Sequence, residues 1–486
     1  MKRGFLNTSK AKKTRPLGPT DPVSDSKPSA SVFDILDKAL FTGPAKPKVE
    51  VRKLPIGKVE KVALPKGWEP PKLEALGPSD TRQPTMIWTT QPEVLTNGKD
   101  TFTECIFYPG TKEVLKKIPG YPQPLQHPKP GAFRVATVPG KGTGLFSTRA
   151  LTLGEHILTE RPLLISPIAV YSAYPSSFTY EQYVQVALNE MEQHTKIAVD
   201  RMLPHDRAAY MELANSHKED GSGPCFGIIR TNGLGISGLR PGVEGAGGMY
   251  SAVPKYISRL NHSCSPNTQP LFDKASLSYR LFAVRDIAAG EELTYQYVDV
   301  DKPAAERNEE LKPYDFVCTC TACTEDVPAS DARRAAITAF TPNTLLWAVD
   351  PKLPDDWLLK QCHEQLARIE TEGLQHLPAY YEVSKAIMDI YVGLGNAQKA
   401  SEWVVRMNRL KWEKDNSLLQ SDFNRFEDPA DTAAYEAHMM WRMRAPGGSP
   451  TSNVFRSMAA LAGPNGIKTL PGGVSLMMFP GPAGLF

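Results

Sequence analysis

Asn261-His262-Ser263-Cys264-Ser265-Pro266-Asn267 comes first, Gly290-Glu291-Glu292-Leu293-Thr294-Tyr295-Gln296-Tyr297 second, and Cys318-Thr319-Cys320-Thr321-Ala322-Cys323 third. Their order decides the reading of the chain. Taken singly, the first is a polar turn with an Asx bend before proline. The second is a hairpin turn feeding an aromatic strand. The third crowds three of the chain's seven cysteines into six residues. An odd count at low density does not make a secreted disulfide framework. The crowding points instead to metal ligation in a reducing compartment. A structural zinc site takes four ligands, so three thiols are one short. Cys264 is the best spare candidate. Cys105 and Cys225 lie outside any motif, and Cys362 falls on the apolar face of a predicted helix, where a free thiol is usually core. A Cys264/Cys318/Cys320/Cys323 site would tie the cysteine run back onto the Asn-His loop.

Upstream lies Lys141-Gly142-Thr143-Gly144-Leu145-Phe146. A lone GxG is a hairpin turn, although glycine also lets a backbone approach a ligand closely. Short strands are predicted over Phe133–Thr137, His156–Glu160, Tyr279–Val284 and Leu293–Tyr297. Helical spacing takes over from about 177 to 217, with a break at Pro204. It returns from 330 to 445, where Asp355 and Asp356 are placed to cap a helix and Gly393-Leu394-Gly395-Asn396 joins two more, Ala379–Val392 and Ala397–Trp412. That region reads as stacked, tetratricopeptide-like helical hairpins.

A length of 486 residues allows about two or three domains. With 41% hydrophobic and 22% charged residues, the composition is that of a globular protein. Residues 1–60 read as a basic, proline-rich tail with one apolar patch at Val32–Phe41, residues 61–130 as an irregular segment, and 446–486 as a disordered Gly/Pro-rich tail. A net charge of +3 with dispersed basic residues argues against direct nucleic-acid binding. The most apolar stretch, Leu163–Tyr174, is too short and too interrupted to span a bilayer.

Together the motifs over 131–326 resemble the SET-domain family of protein-lysine methyltransferases with a post-SET cysteine segment. The helical insertion and helical C-terminal region are similar to the SET/MYND subgroup. No Cys/His cluster for a MYND finger is present. The resemblance implies an α+β fold: a SET-type β-fold over 131–300, a zinc-bound post-SET segment over 301–326, and an all-α C-terminal region. It implies S-adenosylmethionine as methyl donor, with Lys141, Gly142, Gly144, Asn232, Asn261, His262 and Phe316 binding it. It implies Tyr297 as the catalytic phenol and Tyr314 as a channel wall. The implied partner is a protein presenting a lysine, histone or non-histone, acted on by a monomer in the nucleus or cytoplasm rather than the mitochondrion. The rival reading is a non-catalytic module that acts as an adaptor through its C-terminal helices.

Overall fold

The computed structural model describes residues 52–53, 57–68, 86–95, 100–170, 177–240, 248–410 and 424–448. The expected N-terminal tail, its apolar patch and the C-terminal Gly/Pro stretch lie almost wholly outside them.

Strands β1 (Ile87–Gln91) and β2 (Thr103–Phe107) pair antiparallel and lead to helix α1 (Thr111–Lys117). This corrects the irregular reading of 61–130. All five residues of β2 are buried, so it shows none of the alternation that marks a half-exposed strand. Its Glu104 survives in the core because Thr90 and Arg201 donate to its carboxylate at 2.6 and 3.0 Å.

Four strands follow: β3 (Phe133–Val138), β4 (Gly142–Ser147), β5 (His156–Glu160) and β6 (Leu164–Pro167). β3 and β4 form a hairpin whose register closes at Val138 opposite Gly142. Gly140 and Gly142 take φ of 68° and 71° there, a left-handed conformation that other residues resist. The turn is therefore shorter than expected, and Gly144 lies in a strand.

The helical insertion consists of α2 (Tyr180–Arg201), α3 (Pro204–Met211) and α4 (Pro224–Asn232). A Thr179–Gln182 capping box starts α2, and the break falls at Pro204 as predicted. The insertion runs to Asn232 rather than to 217. Every residue of α4 from Cys225 to Asn232 is buried, so it has no polar face to betray its period.

Next come β7 (Leu234–Ile236), β8 (Tyr250–Val253), β9 (Asn261–His262), β10 (Thr268–Asp273), β11 (Ser278–Ala283) and β12 (Glu292–Tyr295). These strands form sheets of order β1-β2-β6-β8-β7, β9-β12-β4-β3 and β10-β11-β5, and Arg52–Lys53 pairs antiparallel with Ala169–Val170 in a separate two-stranded sheet. The last predicted strand stops at Tyr295, two residues early.

The C-terminal part is helical. It holds α5 (Ala304–Leu311), α6 (Thr321–Thr324), α7 (Val327–Ala339), α8 (Thr344–Val349), α9 (Trp357–Thr371), α10 (Pro378–Gly393), α11 (Ala397–Asn408) and α12 (Thr432–Glu436). The expected turn between α10 and α11 is present, with Gly395 at φ 73° and the Asn396 side chain accepting from Lys399 N at 3.0 Å. The expected aspartate cap is not. Asp356 occupies the cap position of α9, but its carboxylate pairs with Lys360 at 2.7 Å, while Asp355 pairs with Arg444 at 2.9 Å. Cys362 is fully buried on α9, as its apolar face requires. Among the described residues, no helix is long and apolar enough to cross a membrane.

The helices press directly on the strand region. Gly154 has φ 80°, and a Cβ there would lie 2.3 Å from the Arg409 carbonyl oxygen. Gly154→Ala combines left-handed strain with a backbone clash and is expected to cost about 2–4 kcal/mol of unfolding free energy, read by denaturant titration. An unchanged midpoint would contradict this close docking.

Candidate functional site

Strand pairing brings the motifs together. β12 runs antiparallel to β4, with Glu292 opposite Phe146, and parallel to β9, with Asn261 opposite Thr294. The glycine hairpin and the Asn-His strand thus flank the strand that leads to Tyr297. Asn261 Nδ2 donates to Glu292 Oε1 at 2.6 Å. A Cβ on Gly144 would lie 2.8 Å from that oxygen and 3.1 Å from Asn261 Nδ2, so only glycine leaves the pair undisturbed. Arg259 ties the two motifs again, donating to the Thr143 hydroxyl at 3.3 Å. Asn267 bolts the far end of the loop to β12, donating to the Glu292 carbonyl at 2.8 Å and accepting from Thr294 N at 2.7 Å.

His262 links the phenol to the sulfurs. The Tyr297 backbone N–H donates to His262 Nδ1 at 3.0 Å, and His262 Nε2 lies 3.3 Å from the Cys264 sulfur. A ring nitrogen that accepts carries no proton, so in the neutral ring the proton sits on Nε2 and points at the sulfur. Burial holds the imidazole down at about 3, against the Cys323 sulfur, which pushes it up, and with the Arg307 and Lys141 charges, which push it down. His262 is thus a neutral anchor near Lys141.

The Tyr297 hydroxyl donates to the Leu260 carbonyl at 2.7 Å. Its ring lies 5.3 Å from His262, 5.1 Å from Tyr295, 5.1 Å from Tyr314 and 6.3 Å from Phe316, centroid to centroid. Burial pushes the Tyr314 phenol up, so it stays protonated. Tyr295, Tyr297 and Tyr314 line one groove together with the edge strands β7 and β10. Asn232 stands at the end of α4. Its Nδ2 donates to the Ala214 and Ile228 carbonyls at 2.6 and 2.9 Å, and its buried Oδ1 has no hydrogen-bond partner.

The sulfurs of Cys264, Cys318, Cys320 and Cys323 all lie within 4.8 Å of one another. Cys264 is 3.9 Å from Cys318 and 3.5 Å from Cys323. A tetrahedral ion about 2.3 Å from each sulfur would space the sulfurs by about 3.8 Å, so the group is the right size to hold a metal. Hydrogen bonds among the four thiols push Cys320 and Cys323 below the usual thiol range and Cys264 and Cys318 above it. Arg307 Nη2 reaches the Cys323 sulfur at 3.5 Å, and Arg334 Nη1 donates to the Cys264 carbonyl at 3.0 Å. Sequence reasoning missed Glu292, Arg307, Arg334 and the Leu260 carbonyl. Glu292 was within a quoted motif. The two arginines stand in no motif, and a backbone carbonyl leaves no sequence signal.

Gly144 and Asn261 meet around one contact, so their effects should not add. Gly144→Ala and Asn261→Ala are expected to destabilise singly and to show about 0.5–3 kcal/mol of coupling in a double-mutant cycle. Strict additivity would contradict the contact.

A model of the SET domain matches residues 142–298. Histone-lysine N-methyltransferase set5 of Schizosaccharomyces pombe is 28% identical over 213 residues, 43% of this chain and 56% of that protein. Histone-lysine N-methyltransferase SMYD3 of Homo sapiens is 47% identical over 75 residues, 15% of this chain and 17% of the relative. N-lysine methyltransferase SMYD2 of Gallus gallus is 29% identical over 147 residues, 29% and 32% of the two chains. The matched stretch therefore spans little more than half of the first relative and less of the others. The solved structure of the Neurospora SET domain protein DIM-5 aligns with 34% of this chain and 52% of its own at 18% identity and a TM-score of 0.18, too low to bear on the argument. Strand β4 from Gly142, the Asn-His strand and the strand leading to Tyr297 all fall inside the matched stretch, and residues 142–298 of this chain are a SET domain.

Proposed function

We propose that this protein transfers methyl groups from S-adenosylmethionine to lysine side chains of a histone or non-histone protein in the nucleus or cytoplasm, and that zinc occupies its four-cysteine cluster. The observation that carries this reading is the convergence of Tyr297 with the Asn-His loop: its hydroxyl on the Leu260 carbonyl, its amide on His262. The relatives named above as lysine methyltransferases support it.

The residues present suit such a donor. Lys141, Gly142 and Gly144 would hold it from the hairpin, Asn261 and His262 from the facing strand. Phe316, 6.0 Å from the His262 ring, would cover its adenine. The unpartnered Oδ1 of Asn232 is an acceptor with its hydrogen bond still to make. When bound, the donor supplies an electrophilic methyl on a sulfonium. The chain's own part is to prepare the amine and the approach. A free lysine has a pKa near 10.4 and is mostly protonated at pH 7. The aromatic walls Tyr295, Tyr297 and Tyr314 are buried and would disfavour the ammonium by desolvation. The Tyr297 hydroxyl gives its proton to Leu260, and its oxygen keeps the acceptor character of a phenol beside the groove. That oxygen can accept weak C–H···O contacts from a polarised methyl and orient it. Alignment of this kind can be worth roughly 7–11 kcal/mol of barrier.

Tyr297→Phe removes the lone pairs and keeps the ring. With tritiated donor and histones or cell extract, transfer should fall about a hundredfold, since small misplacements of the reacting groups cost that much. Stability should fall by about 1 kcal/mol for the lost hydrogen bond. Transfer at the wild-type rate would overturn the assignment of Tyr297, and no labelled lysine in any fraction with the wild type would overturn the activity.

Purified protein should carry one zinc per chain by mass spectrometry of the metal. Cys264→Ser should lose most of it, and with it the order of the segment carrying Tyr314 and Phe316. Stoichiometric zinc in Cys264→Ser would contradict the four-thiolate site.

A further inference from the structure

The stretch 296–300 carries Tyr297 but belongs to no strand, because β12 ends at Tyr295. Ladder hydrogen bonds therefore do not fix it, and other contacts must. The C-terminal helical region supplies one at each end. His376, between α9 and α10, lies with Nε2 2.6 Å from Gln296 Oε1. An amide oxygen only accepts, so Nε2 carries the proton and donates. At the other end, Arg334 of α7 donates to the Val300 carbonyl. The same guanidinium reaches the Cys264 carbonyl at 3.0 Å and the Ser265 hydroxyl at 3.3 Å.

Both anchors are themselves fixed. Arg334 is fully buried, and a buried guanidinium needs a buried partner. Glu372 provides it, 2.9 Å from Arg334 Nε, and takes Ser330 and Arg333 at 2.6 Å each. Gly373 then passes so close to the Asn-His loop that a Cβ on it would lie 3.0 Å from the Ser265 Cβ, at a φ of 64°. His376 is buried three residues further on. The turn 372–376 thus braces the loop at Ser265 and the Tyr297 segment at Gln296 together.

We propose that the C-terminal helices position the catalytic phenol, with His376 and Arg334 as positioning residues that clamp 296–300 from its two ends. This rests on the reading of Tyr297 as the catalytic phenol. It differs from a role in which the helices only dock partners, because the clamp acts on the alignment of Tyr297 and not on substrate capture.

The full-length chain is tested as wild type, His376→Ala and His376→Gln, the last keeping an N–H donor for Gln296. Two readouts are taken: kcat and KM for donor and protein substrate, and hydrogen–deuterium exchange of the amides at 296–300. The expected result for His376→Ala is a kcat lowered about 10- to 100-fold with both KM values held, and faster exchange at 296–300. His376→Gln should restore both. A wild-type kcat, or wild-type exchange at 296–300, in His376→Ala overturns the clamp, as does a change confined to KM. If the wild type transfers no methyl group, the proposed activity fails, and exchange at 296–300 alone then decides the clamp.

Discussion

A single neutral imidazole holds the site together. His262 takes the backbone proton of Tyr297 on one nitrogen and turns the other toward the sulfur of Cys264. The phenol and the cysteine cluster are therefore placed by opposite edges of one ring. Charging that ring would remove the acceptor for Tyr297, and burial prevents it. The two-residue parallel pairing of Asn261–His262 with Thr294–Tyr295 is what brings this ring to the phenol. Few residues secure the pairing, so side chains reinforce it: Asn261 to Glu292 and Asn267 to the backbone of β12.

From that contact the rest follows by packing. The cysteines draw 318–323 onto the loop; Tyr314 comes with them to wall the groove, and Phe316 packs beside Tyr314 and His262. Arg307 reaches the Cys323 sulfur from α5, and Arg334 donates to the Cys264 carbonyl from α7. Both arginines are fully buried, which is costly unless they are paired: Glu372 pairs with Arg334, and Asp331 lies 3.4 Å from Arg307. The strand region and the helices share these arginines, so the helices are part of the site's support.

Much of this was legible in the chain. The side chains that meet at the site sit inside short motifs whose spacing survives as strand pairing: Gly144, Asn261, His262, Cys264 and Tyr297. The fourth sulfur could be assigned because Cys264 alone of the remaining cysteines sits in a motif, while Cys362 falls on an apolar helix face. What was not legible had no periodic signature. β2 and α4 are buried on all sides and so lack alternation or a polar face. Asp356 looks like a cap in sequence, but an i,i+4 lysine takes its carboxylate. The Leu260 carbonyl, Arg334 and His376 act through three-dimensional proximity alone, which no spacing rule encodes.

The most direct measurement is a crystal structure of the full chain with S-adenosylhomocysteine. The account predicts the ligand between the Gly142–Gly144 hairpin and the Asn261–His262 strand, its adenine under Phe316 and its sulfur facing the Tyr297 hydroxyl from the side opposite the groove. Ligand bound elsewhere, or a sulfur pointing away from residue 297 in an otherwise intact site, would contradict it.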